Sequence, residues 1–143
     1  MRCYFILATL VVAAVLLCGG CATTPTSELS QLQGNWAGEE LGGQKGVCRM
    51  TIESDTVRFQ GALRQDWYIG TLTLDPKARP KQATMLISDC GFRQHVNKTA
   101  KGIYKLEGNR LTLAAHEPGI ETVPTALAHD AASQTRAFVF TRQ

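Results

Sequence analysis

The chain has 143 residues, 44% of them hydrophobic, with 15 lysines and arginines against 12 aspartates and glutamates for a formal net charge of +3. That length suits one domain with one core, and the hydrophobic share excludes a chain too polar to fold. A charge so near neutral gives no ground to expect a nucleic-acid partner held through phosphate contacts.

Residues 1–20 read as a secretory leader rather than as part of the fold. Arg2 supplies a positive charge, Tyr4 to Leu17 form an almost unbroken apolar run, and Gly19 and Gly20 follow as small residues. The run is short of the roughly twenty residues that span a bilayer as a helix. Leu17-Cys18-Gly19-Gly20-Cys21 resembles a bacterial lipobox, although Cys18 stands where a lipobox usually carries leucine. The resemblance implies cleavage before Cys21, a lipid on Cys21, and a domain tethered in the cell envelope that faces the periplasm or the exterior. Ala22 is not the aspartate that retains many lipoproteins in the inner membrane, so the outer membrane is preferred. An ordinary cleaved signal and an uncleaved anchor are the alternatives, and each still exports the domain. Losing residues 1–20 removes one charge, Arg2, and leaves fourteen basic against twelve acidic side chains.

Cys3 and Cys18 leave with the leader and Cys21 is consumed by lipid, which leaves Cys48 and Cys90. In an oxidising compartment the two are a candidate disulfide, closing a loop long enough to stabilise by roughly 4 kcal/mol. The alternative is a pair of thiols buried as small apolar side chains.

Residues 21–27 hold the lipidated cysteine and a small, polar tether, and residues 28–143 the domain. Ser27 offers an N-cap to a brief helical turn with Leu29 and Leu32 on one face, stopped by Gly34. From Trp36 the apolar period becomes two. Val47 to Ile52 and Val57 with Phe59 form the next strands, with Gly61 ending the second. Trp67 to Leu74 is another, in which the apolar phase shifts from Trp67 and Ile69 to Leu72 and Leu74, predicting a bulge at Gly70. After a proline-bounded loop, Ala83 to Ser88 is apolar enough to be buried on both faces. Ile103 to Leu106 and Leu111 to Leu113 flank Glu107-Gly108-Asn109-Arg110, the clearest hairpin signal in the chain. Residues 116–135 predict a long loop holding one short strand, and Ala137 to Thr141 closes the sheet. About eight strands in this length predict an all-β fold, a single antiparallel up-and-down barrel with no exposed sheet edges.

Gly34-Asn35-Trp36 after a helical turn resembles the Gly-x-Trp signature of lipocalins, whose tryptophan plugs the closed end of an eight-stranded barrel. With the stretches 32–36, 74–81 and 102–113, Pro124-Thr125 and Phe138-Val139-Phe140, the chain resembles an uncharacterised lipocalin-like domain family abundant in exported planctomycete proteins. The resemblance covers about residues 28–142, implies a lipocalin-like barrel, and brings no known activity and no functional residues to carry over. Ala126-Leu127 stands where that family often has a phenylalanine.

No catalytic constellation stands out. His95, His116 and His129 fall in separate segments without metal-site spacing, and no nucleophile, base and orienting group can be assembled, so neither metal, cofactor nor enzymatic activity is expected. Glu39 and Glu40 point to opposite faces of a strand and read as solvated. Lys77, Arg79, Lys81, Arg93, Lys98 and Lys101 put positive charge into mid-chain loops that could touch an anionic surface if they share one barrel end, with ordinary solvated loops the plainer reading. Trp36, Phe59, Trp67, Tyr104 and Phe140, with Met50 and Met85, suffice either to fill a small barrel or to line a pocket at its end. Two functions follow: a non-enzymatic module binding a small apolar or amphipathic ligand, or a structural or protein-interaction domain with a filled barrel.

Overall fold

The computed structural model describes residues 27–143, so the leader, Cys21 and all of the expected tether but Ser27 lie outside the described residues. The chain from Ser27 folds as a short helix and eight strands. The helix α1 spans Glu28–Leu32, followed by β1 Gly34–Leu41, β2 Val47–Glu53, β3 Thr56–Gln60, β4 Trp67–Asp75, β5 Lys81–Cys90, β6 Thr99–Glu107, β7 Arg110–His116 and β8 Thr135–Arg142. Each strand pairs antiparallel with the next and β8 returns to β1, closing an up-and-down barrel in chain order. The ring of strands and both apolar clusters are built within residues 27–143, so this stretch has what a domain needs to fold alone.

Every second residue enters the barrel, as the pleat requires. Met50 and Ile52 of β2, Val57 of β3, Tyr104 of β6, Leu111 of β7 and Phe138 and Phe140 of β8 form one buried cluster with Trp36 and Leu32. The helix caps one end. Ser27 accepts a hydrogen bond from the Ser30 amide at 3.2 Å, the Trp36 indole N–H donates to the Leu32 carbonyl at 2.9 Å, and Lys81 holds Glu28 at 2.6 Å. Arg142 lays its guanidinium over the Trp36 ring, 4.2 Å from the centroid, and donates to the carbonyls of Gln31 and Gln33. The last strand thereby ties the helix to the barrel floor.

The structure corrects four details of the sequence reading. The irregularity at Gly70 is present, but the extra residue is Ser88 on β5, because Ile69 pairs with Asp89 and Gly70 with Ile87. Gly70 is needed because a Cβ there would stand 2.3 Å from the Leu86 carbonyl oxygen. On β4 it is Tyr68, Leu72 and Leu74 that line the interior, which leaves Trp67 half-buried on the outer face. Strand β5 is not buried on both faces, since Leu86 is 52% exposed while Ala83, Met85 and Ile87 point inward. The doubly buried strand is β6, where Tyr104 enters the barrel and Ile103 packs outside with Ala114 and Ala137. Residues 117–134 fold over that outer patch through Val123 and Leu127, with no named strand and a single bridge between Asp130 and Thr135.

Cys48 and Cys90 are both buried free thiols, not a disulfide. Cys48 lies on β2 opposite Gly38 of β1, and Cys90 on β5 opposite Tyr68 of β4. Strands β2 and β5 stand three intervals apart in the ring, at roughly 4.8 Å per interval, beyond the roughly 7 Å limit between Cα atoms for a disulfide. The Cys90 thiol instead donates to the Phe92 carbonyl at 2.9 Å. Burial, reinforced by the nearby Glu40 carboxylate, pushes the Cys48 thiol up and keeps it protonated.

Candidate functional site

The eight strands do not fill their own interior. A cavity of about 520 Å³ runs from Leu32 at the helix end to the connections at the opposite end, within the roughly 300–1,000 Å³ of small-molecule sites. Its walls are apolar, with Met50, Phe59, Leu72, Leu74, Met85 and Leu113 among the side chains that face it. These residues are only partly buried, apart from Met50, because their inward faces meet empty space rather than packed neighbours. At the far end the lining includes the exposed residues Gln94, His129, Ala131 and Gln134, so the cavity reaches the surface there.

An up-and-down barrel assembles this mouth by parity. The connections after β1, β3, β5 and β7 all emerge at the end opposite α1. His95, in a single 3-10 turn at Arg93–His95, therefore stands at the same barrel end as His116 at the end of β7 and His129 in the β7–β8 connection, although the three are far apart in sequence. Among the described residues no group of three potential ligands could hold a metal ion. The mouth is instead a set of oriented hydrogen bonds. His95 Nε2 lies 3.2 Å from Glu117 Oε1 and its Nδ1 lies 3.3 Å from the Tyr68 hydroxyl. Tyr68 stacks on the same imidazole at 6.1 Å between centroids. Burial, then the Asp66 carboxylate, pushes the Tyr68 phenol up to about 12, so it stays a proton donor. His116 Nδ1 lies 2.9 Å from Thr135 Oγ1, which is 2.7 Å from Ser133 Oγ, which in turn donates to Asp130 Oδ2 at 2.7 Å.

One side of this end is sealed by charge. Arg136 of β8 points inward and takes Glu40 of β1 and Asp66 of the β3–β4 connection on its two edges, at 2.8 Å and 2.7 Å. Glu40 is not solvated, as its place beside Glu39 suggested. Its side chain is 5% exposed, because strand alternation sends it inward with Trp36 and Gly38 while Glu39 stays outside. The guanidinium lies 5.0 Å from the Phe138 ring centroid and 5.9 Å from that of Phe59, covering the cavity's aromatic wall. Burial works against the charge on Arg136, and the two carboxylates outweigh it and hold the guanidinium above its ordinary range.

Comparison with protein-family models, curated proteins and solved structures finds no match to this chain. The chemistry of the cavity itself is what speaks to function.

Of the aromatic residues expected at a barrel end or pocket, Phe59 and Tyr104 line the cavity and Trp36 sits at the closed end. Phe140 is fully buried and stacks on Phe138, whose ring does reach the cavity. Trp67 stands outside, beside Arg64 and Arg93. At the floor Tyr104 donates to Glu28 at 3.3 Å, and burial followed by that carboxylate pushes its phenol up. The basic loop residues do not share one end. Lys77 and Arg79 lie in the β4–β5 connection, whereas Arg93 and Lys98 lie in the β5–β6 connection at the opposite end. Lys81 is paired with Glu28 and Lys101 with Glu121.

Proposed function

We propose that this protein is a lipid-anchored, extracytoplasmic binding module that holds one small apolar or amphipathic molecule inside its barrel. The observation that carries the reading is the 520 Å³ apolar cavity that begins at Leu32 and reaches the surface beside His129 and Gln134. A void of this size lined by leucine, methionine and phenylalanine excludes water poorly matched to it and rewards an apolar guest. The reading is non-enzymatic: the buried thiols are protonated or tied to the backbone, and His95 and His116 are committed to structural hydrogen bonds on at least one nitrogen. The lipobox-like segment ending at Cys21 and the likeness to an exported lipocalin-like family support the envelope location. A filled barrel that only displays loops is the weaker alternative, because it has no use for the cavity.

Native mass spectrometry of residues 22–143, exported without the anchor, tests the reading. A companion mass that disappears on denaturation is expected. A bare protein that also fails to take up added alkyl compounds would sink it. In the full-length chain, Cys21→Ser is expected to block lipidation and with it the cut before residue 21, so mass spectrometry should find an unlipidated precursor that keeps residues 1–20 in place of the lipidated mature protein.

A further inference from the structure

The outer rim of the open end carries apolar and charged side chains that nothing in the domain covers. Of the three large hydrophobic side chains exposed among the described residues, Val47 at 55% and Leu63 at 42% stand at this end, and Leu86 lies on the barrel wall. Leu63 is held out by its backbone. It opens a turn closed by the Asp66 amide, which donates to the Leu63 carbonyl at 3.0 Å, and the Gly61 amide donates to the Asp66 carbonyl at 2.6 Å. Arg136 fixes the Asp66 side chain, and a Cβ on Gly91 would stand 1.8 Å from the Gln65 carbonyl oxygen, so the β5–β6 connection packs backbone to backbone against the same turn. A leucine on a turn pinned at so many points cannot fold back into the domain, and what covers it comes from outside.

Beside that turn runs a shallow groove walled by Arg64, Gln65, Trp67, Asp89, Gly91 and Arg93. Among the described residues neither guanidinium has an ion pair or a hydrogen bond, and the same holds for the ammonium groups of Lys45 and Lys98 in the neighbouring connections. Connections 42–46, 61–66 and 91–98 thus hold four free cations against one carboxylate, Asp66, which Arg136 already binds. Asp89 in the groove and Glu39 opposite Val47 offset part of that charge. The other acidic side chains of this end belong to the β7–β8 connection and are engaged there, Glu117 with His95, Glu121 with Lys101 and Asp130 with Ser133. Groove and cavity share a wall. Phe92, Gln94 and His95 line the cavity, while Arg93 between them lines the groove.

We propose that this rim docks the open end of the barrel onto an anionic phospholipid surface, with Arg64 and Arg93 on the headgroups and Leu63 and Trp67 at the boundary with the acyl chains. Exposed apolar side chains flanked by unpaired cations suit such a surface, each cation being worth about fivefold in partitioning. A half-buried indole such as that of Trp67 favours the level where hydrocarbon meets water. An acidic protein would also meet the arginines, but the rim adjoins the mouth of an apolar cavity, which a bilayer can supply with alkyl chains. Lys77 and Arg79, at the closed end, take no part. The acidic β7–β8 connection is repelled, so contact falls on the side of the other three. The proposal deepens the binding reading by naming the bilayer as the source of the guest, and that clause alone rests on it.

The test is sedimentation of residues 22–143, without the lipid anchor, with vesicles of phosphatidylcholine alone or mixed in equal parts with phosphatidylglycerol. Affinity for the mixed vesicles is expected to be at least tenfold higher and to vanish at about 0.5 M salt. Equal binding to both, or binding to neither, overturns the proposal. Arg64→Gln with Arg93→Gln, both exposed, should cost at least tenfold. Lys77→Gln with Lys105→Gln makes the same change of charge at the closed end and should cost far less; an equal loss would mean attraction by net charge alone and overturn the assignment to this rim. Brominated acyl chains should quench Trp67 in the parent and leave the buried Trp36 of a Trp67→Phe variant bright, and sedimentation without quenching in the parent overturns the docked orientation. Release from the vesicles by glycerol phosphate would reveal a site for a single phosphate and overturn the surface. Uptake of a neutral fluorescent probe, N-phenylnaphthylamine, is measured without vesicles. A protein that sediments but takes up no probe loses the binding reading and the source of its guest, while the docking stands.

Discussion

Replacing Arg136 by methionine is expected to destabilise the barrel by about 3–5 kcal/mol, the cost of leaving buried charge without its partner. Glu40 and Asp66 have side chains 5% and 8% exposed, and the guanidinium is the cation both contact. Methionine fits the aromatic wall of Phe59 and Phe138 but cannot compensate two carboxylates. Urea denaturation reads the loss directly. The triple replacement Arg136→Met, Glu40→Gln, Asp66→Asn should recover most of it, since removing every member of a buried charge set is far cheaper than removing one. A single variant as stable as the parent would show that the seal at this end is dispensable.

Trp36→Ala is expected to cost a similar amount, about 3–5 kcal/mol for a large aromatic removed from a closed core. Trp36 is 1% exposed, holds the Leu32 carbonyl through its indole N–H, and carries the Arg142 guanidinium on its face. Its loss therefore removes the floor of the barrel and the attachment of α1 in one step. Hydrogen exchange should show the amides of α1 opening earlier than those of β5 and β6. Trp36→Phe keeps most of the ring but leaves the Leu32 carbonyl without its donor, so a smaller loss is expected. Equal stability of the alanine variant would mean that Leu32, Lys81, Tyr104 and Arg142 hold the helix end without the indole.

The barrel was legible because alternation is a local signal. Met50 and Ile52 against Arg49 and Thr51, and the turn at Gly108, with a φ of +60°, fix strands and a hairpin without long-range information. Alternation does not say which face is the interior when both carry aromatics, and that is why the pattern points to Trp67 rather than to its neighbour Tyr68 as the interior residue. The phase slip on β4 points to the wrong strand for the excess residue for a related reason: a bulge is a property of a pair, and one strand's sequence shows only that the phase slips. The salt-bridged seal was hidden because Glu40, Asp66 and Arg136 come from three distant segments, and Glu40 beside Glu39 reads as surface. The histidine-lined mouth has a usable signal in the sequence. Once an up-and-down barrel is predicted, the connections after odd-numbered strands must gather at one end, which brings His95, Glu117 and Gln134 together before any coordinate is known. The same parity rule separates Lys77 and Arg79 from Arg93 and Lys98, which argues against a shared basic patch. The free thiols follow from ring position, since β2 and β5 are too far apart around the barrel to be bridged.

The measurement closest to the central claim is the effect of Ala83→Phe on stability and on uptake of N-phenylnaphthylamine. Ala83 lines the cavity from β5, so a phenyl group there enters empty space if the barrel is hollow. The hollow barrel predicts an unchanged or higher Tm together with loss of probe binding. A destabilisation of about 1–3 kcal/mol, the cost of overpacking a filled core, in a protein whose unmodified form takes up no probe, would contradict it.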